Sequence, residues 1–334
     1  MKMALVGYGY WGPNLCRNFS KYADLEYIID GDESKKQLIK EKYPSAKYRK
    51  SLTTAVIGDV DAVVIATPPH THFDLAIQAL KNGLHVFVEK PMTVSEKDAS
   101  VLTNLATLSN LKLMVDHTFL YTSEISKIKE LLPEIGDIVY IHSTRVNLGK
   151  FQRSNIIWDL APHDFSIFNH LIGDLPVKVR AFGKDIIQKG VVDTAYVNVE
   201  YSNGALATIN MSWLYPFKSR ETVIVGTKKM IVYDMLAEEK IKVYDKGIDM
   251  DKNANDGFGE YLLSYRYGDI WSPFVEVCEP LDRACKHFVD CIENNTKPLT
   301  DGYKGTAVVV LLEAAQRSLD CDGDVIELEE KLLL

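Results

Sequence analysis

The hexapeptide Gly7-Tyr8-Gly9-Tyr10-Trp11-Gly12 follows an apolar strand candidate, Ala4-Leu5-Val6, and runs directly into a helical stretch around residues 14–22. A strand, a glycine turn and a helix in that order admit few folds. Gly7 permits the tight turn, Gly9 lets a pyrophosphate approach the backbone, and Gly12 lets helix and strand pack closely. Alone the pattern is weak. Asp30 strengthens it, because it closes the second strand candidate, Tyr27-Ile28-Ile29, 18 positions after Gly12, near the spacing expected of a carboxylate that binds a ribose diol. Such a carboxylate accepts hydrogen bonds from both ribose hydroxyls and repels a 2′-phosphate, so NAD is expected ahead of NADP. Lys35 and Lys36 lie close enough in sequence to neutralise a phosphate, or are the solvated face of the next helix.

Up to about Thr118, short apolar strands (4–6, 27–29, 62–66, 86–88, 113–115) alternate with helical stretches (14–22, 34–43, 73–82, 96–109). That rhythm predicts a parallel, doubly wound sheet. From about Ile138 longer strands follow one another (138–147, 177–183, 196–201, 205–213, 222–225, 230–233), with the hairpin signal Asn203-Gly204 between two of them. The second half is therefore expected to be an α+β domain with a large, mostly antiparallel open sheet, giving domains at 1–120 and 121–334. Helices reappear at 281–294 and 305–319, the latter expected to pack back on the first domain.

A chain of 334 residues with 46% hydrophobic and 25% charged residues reads as folded and two-domain. A formal net charge of −8 with no Lys/Arg block argues against nucleic acid or an anionic membrane. Five cysteines without a C-x-x-C pair argue against a disulfide framework or a zinc site. With no signal peptide or membrane span in the pattern, a soluble cytoplasmic protein with a small-molecule partner is expected. His70-x-His72 has the spacing of a metal pair, but no Cys or acid cluster completes a set, so no metal is expected.

Two further segments carry chemistry. The strand candidate ending in Val88 leads into Glu89-Lys90-Pro91, and ligands sit beyond the carboxyl ends of parallel strands. Lys90 is expected to face a ligand crevice, where desolvation lowers an amine's pKa while the neighbouring Glu89 favours its charged form. Trp158-Asp159-Leu160-Ala161-Pro162-His163-Asp164 places Pro162 in a presumed first helical turn, with Asp159 as the residue before or capping the helix and His163 one turn on. A carboxylate beside an imidazole suits a general base near neutral pH.

In order along the chain, Gly7-x-Gly9-x-x-Gly12, Thr67-Pro68-Pro69-x-x-His72, Glu89-Lys90-Pro91, Asp159-x-x-x-His163, Glu279-Pro280-Leu281 and Thr300-Asp301-Gly302 resemble the Gfo/Idh/MocA oxidoreductase family. The resemblance implies a Rossmann domain joined to an open-faced α/β domain, and hydride transfer between a nicotinamide and a sugar or cyclitol hydroxyl. It implies Lys90, Asp159 and His163 as catalytic residues. Tyr8, Tyr10, Trp11, Asp30, Thr67, Pro68, Pro69, His72, Glu89, Lys90 and Pro91 join the glycines as cofactor contacts, with Pro91 also a cis-proline candidate. In that scheme the substrate hydroxyl lies between Lys90 and His163, His163 takes its proton, and Lys90 polarises or relays it. The stretches Val115–Tyr121, Arg145–Gly149 and Trp158-Asp159 are similar to the family's nucleotide-sugar branch, which implies oxidation of the 3-hydroxyl of a UDP-N-acetylhexosamine. Substrate contacts are then expected from His117, Arg145, Asn147, Arg153, Trp158, Asp164 and Trp271. The arginines would meet a diphosphate and the tryptophans would stack on a base or sugar. Rival readings are a free-sugar or inositol dehydrogenase and a non-catalytic sensor of dinucleotide or sugar. Two positions depart from the family pattern, Gly31 after Asp30 and Lys228-Lys229 after Gly226. The apolar open sheet is expected to form a homo-oligomer, a dimer or tetramer.

Overall fold

The computed structural model describes residues 1–149, 151, 154–250 and 263–329. The chain divides into two compact units, one formed by 1–122, 278–313 and 329–334, the other by 123–277 and 314–328.

The first unit carries a six-stranded sheet of β1 (Lys2–Val6), β2 (Asp24–Ile29), β3 (Lys47–Arg49), β4 (Ala62–Ile65), β5 (His85–Val88) and β6 (Leu113–Val115), ordered β3-β2-β1-β4-β5-β6. All its pairings are parallel. Its helices are α1 (Gly12–Phe19), α2 (Lys36–Lys42), α3 (Thr54–Ile57), α4 (His72–Lys81) and α5 (Glu96–Leu108). The fully buried strand Ala62–Ile65 shows why the sequence reads as an unbroken apolar run: a parallel sheet is covered on both faces. Ser95 caps α5 by accepting from the Asp98 amide, and Gly83 ends the α4 turn at φ +79°. The strand order reverses between β1 and β4, and a ligand crevice is expected at such a switch point.

Residues 278–313 belong to the first unit, although they follow the second unit's sheet strands in sequence. The reason is apolar. From α8 (Pro280–Glu293), Phe288 meets Phe19 and Phe87 edge-on, with centroids 6.1 and 5.5 Å away, and burying such a ring is worth about 1.5–3 kcal/mol. Glu279 receives Arg17 and Asn18, while Asp282 receives Lys21 and Tyr22. The Thr300-Asp301 motif extends the β6 edge: Val115 N–H donates to Thr300 O at 2.8 Å, and the Thr300 hydroxyl donates to Val115 O at 2.7 Å. The helix α9 (Gly302–Asp320) contributes residues to both units.

The second unit holds a nine-stranded sheet. Its strands are β7 (Ile138–Val146), β8 (Pro176–Lys184), β9 (Thr194–Tyr201), β10 (Leu206–Ser212), β11 (Ser219–Gly226), β12 (Met230–Asp234), β13 (Ile241–Met250), β14 (Leu263–Trp271) and β15 (Ile326–Glu327). They are ordered β14-β13-β12-β11-β7-β10-β9-β8-β15. Only β7 and β10 pair in parallel among the described strands. The helices are α6 (Ser123–Ile135) and α7 (Ile156–Ile172). Gly204, at φ +86°, turns the β9–β10 hairpin. Among the described residues no helix is long and apolar enough to cross a membrane, and no group of three or more His, Cys, Asp or Glu side chains could hold a metal.

Candidate active site

The carboxyl ends of the parallel strands form a single line in the first unit. Gly7 N–H donates to Ile29 O, Ala66 N–H to Val6 O, Glu89 N–H to Ile65 O and Asp116 N–H to Val88 O, all within 2.7–2.9 Å. A cleft of about 600 Å³ opens there, lined by Gly7, Gly9, Asp30, Gly31, Thr67 and Pro68 among others. The three glycines differ in what a side chain would meet. A Cβ on Gly7, whose φ is +99°, would fall 2.5 Å from Ala66 O; on Gly12 it would fall 2.2 Å from Gly7 O; on Gly9 it would meet nothing within 4 Å. Gly7 and Gly12 are thus required by the fold, and Gly9 leaves open the backbone that a pyrophosphate would approach.

Asp30 is fixed at the rim. Its Oδ2 accepts from Tyr8 N–H at 2.7 Å and from Lys35 Nζ at 2.9 Å, and its Oδ1 accepts from Asp32 N–H at 2.8 Å. Burial pushes this carboxyl up, but the bonds from Asp32, Lys35 and Tyr8 outweigh it and hold the group below its ordinary value. An ionised carboxylate, an open glycine turn and a cleft of this size fit a dinucleotide. Tyr8 is buried, whereas Tyr10 and Trp11 are exposed beside the turn. Sequence reading missed Lys50 and Ser51, which line the cleft from the loop after β3.

The Thr67–His72 segment is a brace. The Thr67 and Thr71 hydroxyls share a 2.6 Å bond, Pro69 opens a short 3-10 turn, and the buried His72 ring lies with Nδ1 2.9 Å from Pro91 O and Nε2 2.8 Å from Thr67 O. His72 thereby joins the turn after β4 to the turn after β5. Burial lowers its pKa, opposed by the Pro91 and Thr67 carbonyls, which favour a proton on the ring. The Lys90–Pro91 peptide bond is cis.

Around Lys90, Glu89 is joined by a second acid: the charge of Lys90 acts on both Glu89 and Asp116. Glu89 and Asp116 leave adjacent strands one residue past the Val88–Val115 pair, and both are buried. Their side chains hydrogen-bond to each other. Burial, then Asp116's charge, drives Glu89 well above the ordinary carboxyl range. Burial raises Asp116 only to about 6, with the Thr118 hydroxyl donating to its Oδ1 at 2.7 Å. Burial thus raises both carboxyls, and the pair holds a proton more readily than either acid would alone. His117 is wholly buried, and neither ring nitrogen has a hydrogen-bond partner among the described residues. Its pKa is lowered to about 3 by burial, then by the charges of Lys90 and Lys304.

In the second unit, Asp159 and His163 lie one turn apart on α7 and are both half-buried. The helix begins earlier than expected. Asn155 is the N-cap, its Oδ1 accepting from Trp158 N–H at 3.1 Å, so Asp159 sits in the first turn and Pro162 in the second. The Trp158 indole donates to Gln316 at 3.3 Å. Arg145 and Asp164 are spent on each other. The Arg145 Nε donates to Oδ2 at 2.7 Å and an Nη to Oδ1 at 3.0 Å, while Ser143 donates to Oδ1 at 2.7 Å. Asn147 Oδ1 accepts from Arg220 at 2.8 Å. Trp271 lies on β14, four strands from β7 in the sheet order, and so away from the strands under α7. Arg153 lies outside the described residues.

Comparison with known proteins decides the family. The pattern described as "Oxidoreductase family, NAD-binding Rossmann fold" matches residues 1–117, and that of the GFO/IDH/MocA C-terminal domain matches residues 126–232. The chain belongs to the Gfo/Idh/MocA oxidoreductase family. It is 26% identical to the myo-inositol 2-dehydrogenase of Thermotoga maritima, across 99% of each chain. It is also 26% identical to the UDP-N-acetylglucosamine 3-dehydrogenase of Acidithiobacillus ferrooxidans, over 74% of this chain and 78% of the other. A solved structure of that A. ferrooxidans enzyme superposes with a TM-score of 0.80 at 22% identity, covering 96% of this chain and 98% of the other, which speaks for the fold. As a family member, this chain is an oxidoreductase with an NAD-binding Rossmann domain.

Proposed function

We propose that this oxidoreductase oxidises a CH–OH group of a sugar, with the 3-hydroxyl of a UDP-N-acetylhexosamine as the leading substrate and NAD ahead of NADP. The observation that carries the reading is that Lys90 leaves β5 on the same sheet edge as the glycine turn and Asp30. Gly7, Gly9, Gly12, Asp30 and Thr67 hold the dinucleotide, which supplies the hydride acceptor. His163 takes the hydroxyl proton, steadied by Asp159 one turn away. Lys90 polarises the hydroxyl oxygen, with the Glu89–Asp116 acid pair beside it. His72 braces the turn that carries Lys90 and Pro91.

The half-exposed apolar residues Phe182, Tyr196 and Leu206 share the sheet face opposite α7, and this supports a homo-oligomer formed there.

The test is nicotinamide absorbance after mixing the protein and NAD with UDP-N-acetylhexosamines, free hexoses and inositols. Turnover of a UDP-sugar alone supports the leading reading, and turnover of inositol moves the substrate to the cyclitol class. No change with any sugar moves the protein to a sensor. Lys90→Ala and His163→Ala are each expected to cut turnover by orders of magnitude with NAD binding retained; unchanged turnover in either refutes its role.

A further inference from the structure

Arg220 and Arg145 face each other directly across the β11–β7 pair, so both guanidinium groups lie on the face of the sheet that α7 covers. Like charges directly opposite on a sheet are destabilising unless something offsets them. For Arg145 the offset is Asp164, whose two oxygens receive Arg145 and Ser143. For Arg220 the hydrogen bonds come only from dipoles, with Asp164 and Asp159 acting on it through space. One Nη donates to Val146 O at 2.9 Å and Ser219 O at 2.8 Å, and the other to Asn147 Oδ1 at 2.8 Å. Among the described residues no carboxylate lies within ion-pair distance of it. A guanidinium carries five N–H donors, so this network leaves donors to spare. The group is only partly buried, and hence reachable. The α7 residue Asp159 acts on it through space, and His163 follows one turn later. Burial and then Arg145's like charge lower its pKa to about 10, against the charges of Asp164 and Asp159.

We propose that Arg220, held by Asn147, is the anchor for an anionic group of the substrate, a phosphate or a sugar carboxylate, at the Asp159 end of α7. The proposal rests on the reading that the second unit receives the substrate. It also gives Asn147 a task, that of aiming the guanidinium. An arginine suits it because a planar fork can grip either oxyanion with two parallel bonds.

The experiment is calorimetric titration of NAD-loaded protein with UDP, with glucuronate and with neutral glucose, in wild type, Arg220→Gln and Arg220→Lys. Charge-assisted bonds of this kind predict about a ten- to hundredfold loss of affinity for the anion in Arg220→Gln. Arg220→Lys should recover part of it, and glucose should show no matching loss. A response to UDP alone identifies the anion as phosphate, and a response to glucuronate alone identifies it as carboxylate. If neither anion binds the wild type, or Arg220→Gln weakens anions and glucose alike, the proposal is overturned. Because binding is read without turnover, failure of every sugar to reduce NAD would sink the dehydrogenase reading and leave this result standing. A melting temperature for Arg220→Gln equal to or above wild type supports the anchor; a large fall would make Arg220 a structural residue.

Discussion

Replacing Asp164 by alanine strands a charge. Arg145 is 3% exposed and Asp164 0%, and their two charge-assisted bonds, at 2.7 and 3.0 Å, are the means by which that guanidinium tolerates the interior. Removing one partner of such a buried pair costs about 3–5 kcal/mol, because the survivor stays desolvated after losing its carboxylate. At about 2–4 °C per kcal/mol for a unit of this size, the melting temperature should fall by about 6–20 °C. The neighbouring Arg220 adds like charge and pushes the loss toward the upper end. Urea and thermal melts followed by circular dichroism measure it. A second variant isolates the cause: Arg145→Met with Asp164→Leu removes both charges at similar volume and should recover most of the loss. A melting temperature for Asp164→Ala within about 2 °C of wild type, far below the interval expected of a stranded charge, would refute the reasoning if sugar binding were lost as well. The pair would then serve the ligand and not the fold.

Other expectations follow from the first unit. Gly9→Ala should melt like wild type yet bind NAD at least tenfold more weakly in titration, whereas Gly12→Ala should lower both stability and NAD affinity; equal behaviour of the two would contradict the division of labour among the glycines. Stability should also carry opposing pH terms. Asp116, raised from 3.8 to about 6, binds more protons folded than unfolded, so its contribution is full below about pH 4 and is lost as pH rises through 6. His117, lowered from 6.5 to about 3, does the reverse, and its contribution is lost as pH falls below 6.5. In urea melts between pH 4 and 7, Asp116→Asn should make stability rise more steeply with pH than in wild type, and His117→Leu should make it rise less, each by up to about 1.4 kcal/mol per pH unit. Coincident pH profiles for the three proteins would refute the assignment.

The first sheet was readable because every central strand is a continuous apolar run. Lys47–Arg49 escaped because an edge strand of three residues, Lys-Tyr-Arg, has no periodicity to read. The strands at 241–250 and 263–271 were missed although Ile241-Lys242-Val243 and Leu263-Ser264-Tyr265-Arg266-Tyr267 alternate as a half-buried strand does, each run being cut short by Asp245-Lys246-Gly247 or Gly268-Asp269. α6 carried a signal in Ile125, Ile128, Leu131 and Ile135, which all face inward. At the site, residues joined by short motifs were legible and residues joined across elements were not. Nothing along the chain says that Arg145 finds a partner 19 residues away on a helix, or that Glu89 meets Asp116 as well as Lys90. Arg220 did leave one trace, a lone cation opening the strand Ser-Arg-Glu-Thr-Val-Ile-Val.

The parallel pairing of β7 with β10 inside an otherwise antiparallel sheet has a wider consequence. Two parallel neighbours cannot be joined by a hairpin, so the chain must leave the sheet between them and cross over. It does so through α7 and the β8–β9 hairpin. One inverted strand direction thus commits the second unit to a permanent front and back. On the front, strand and helix residues are chosen together, and few exchanges are neutral. On the back, side chains answer only to whatever docks there. Sequence drift in this half of the chain should therefore run at two speeds, alternating residue by residue along the same strand.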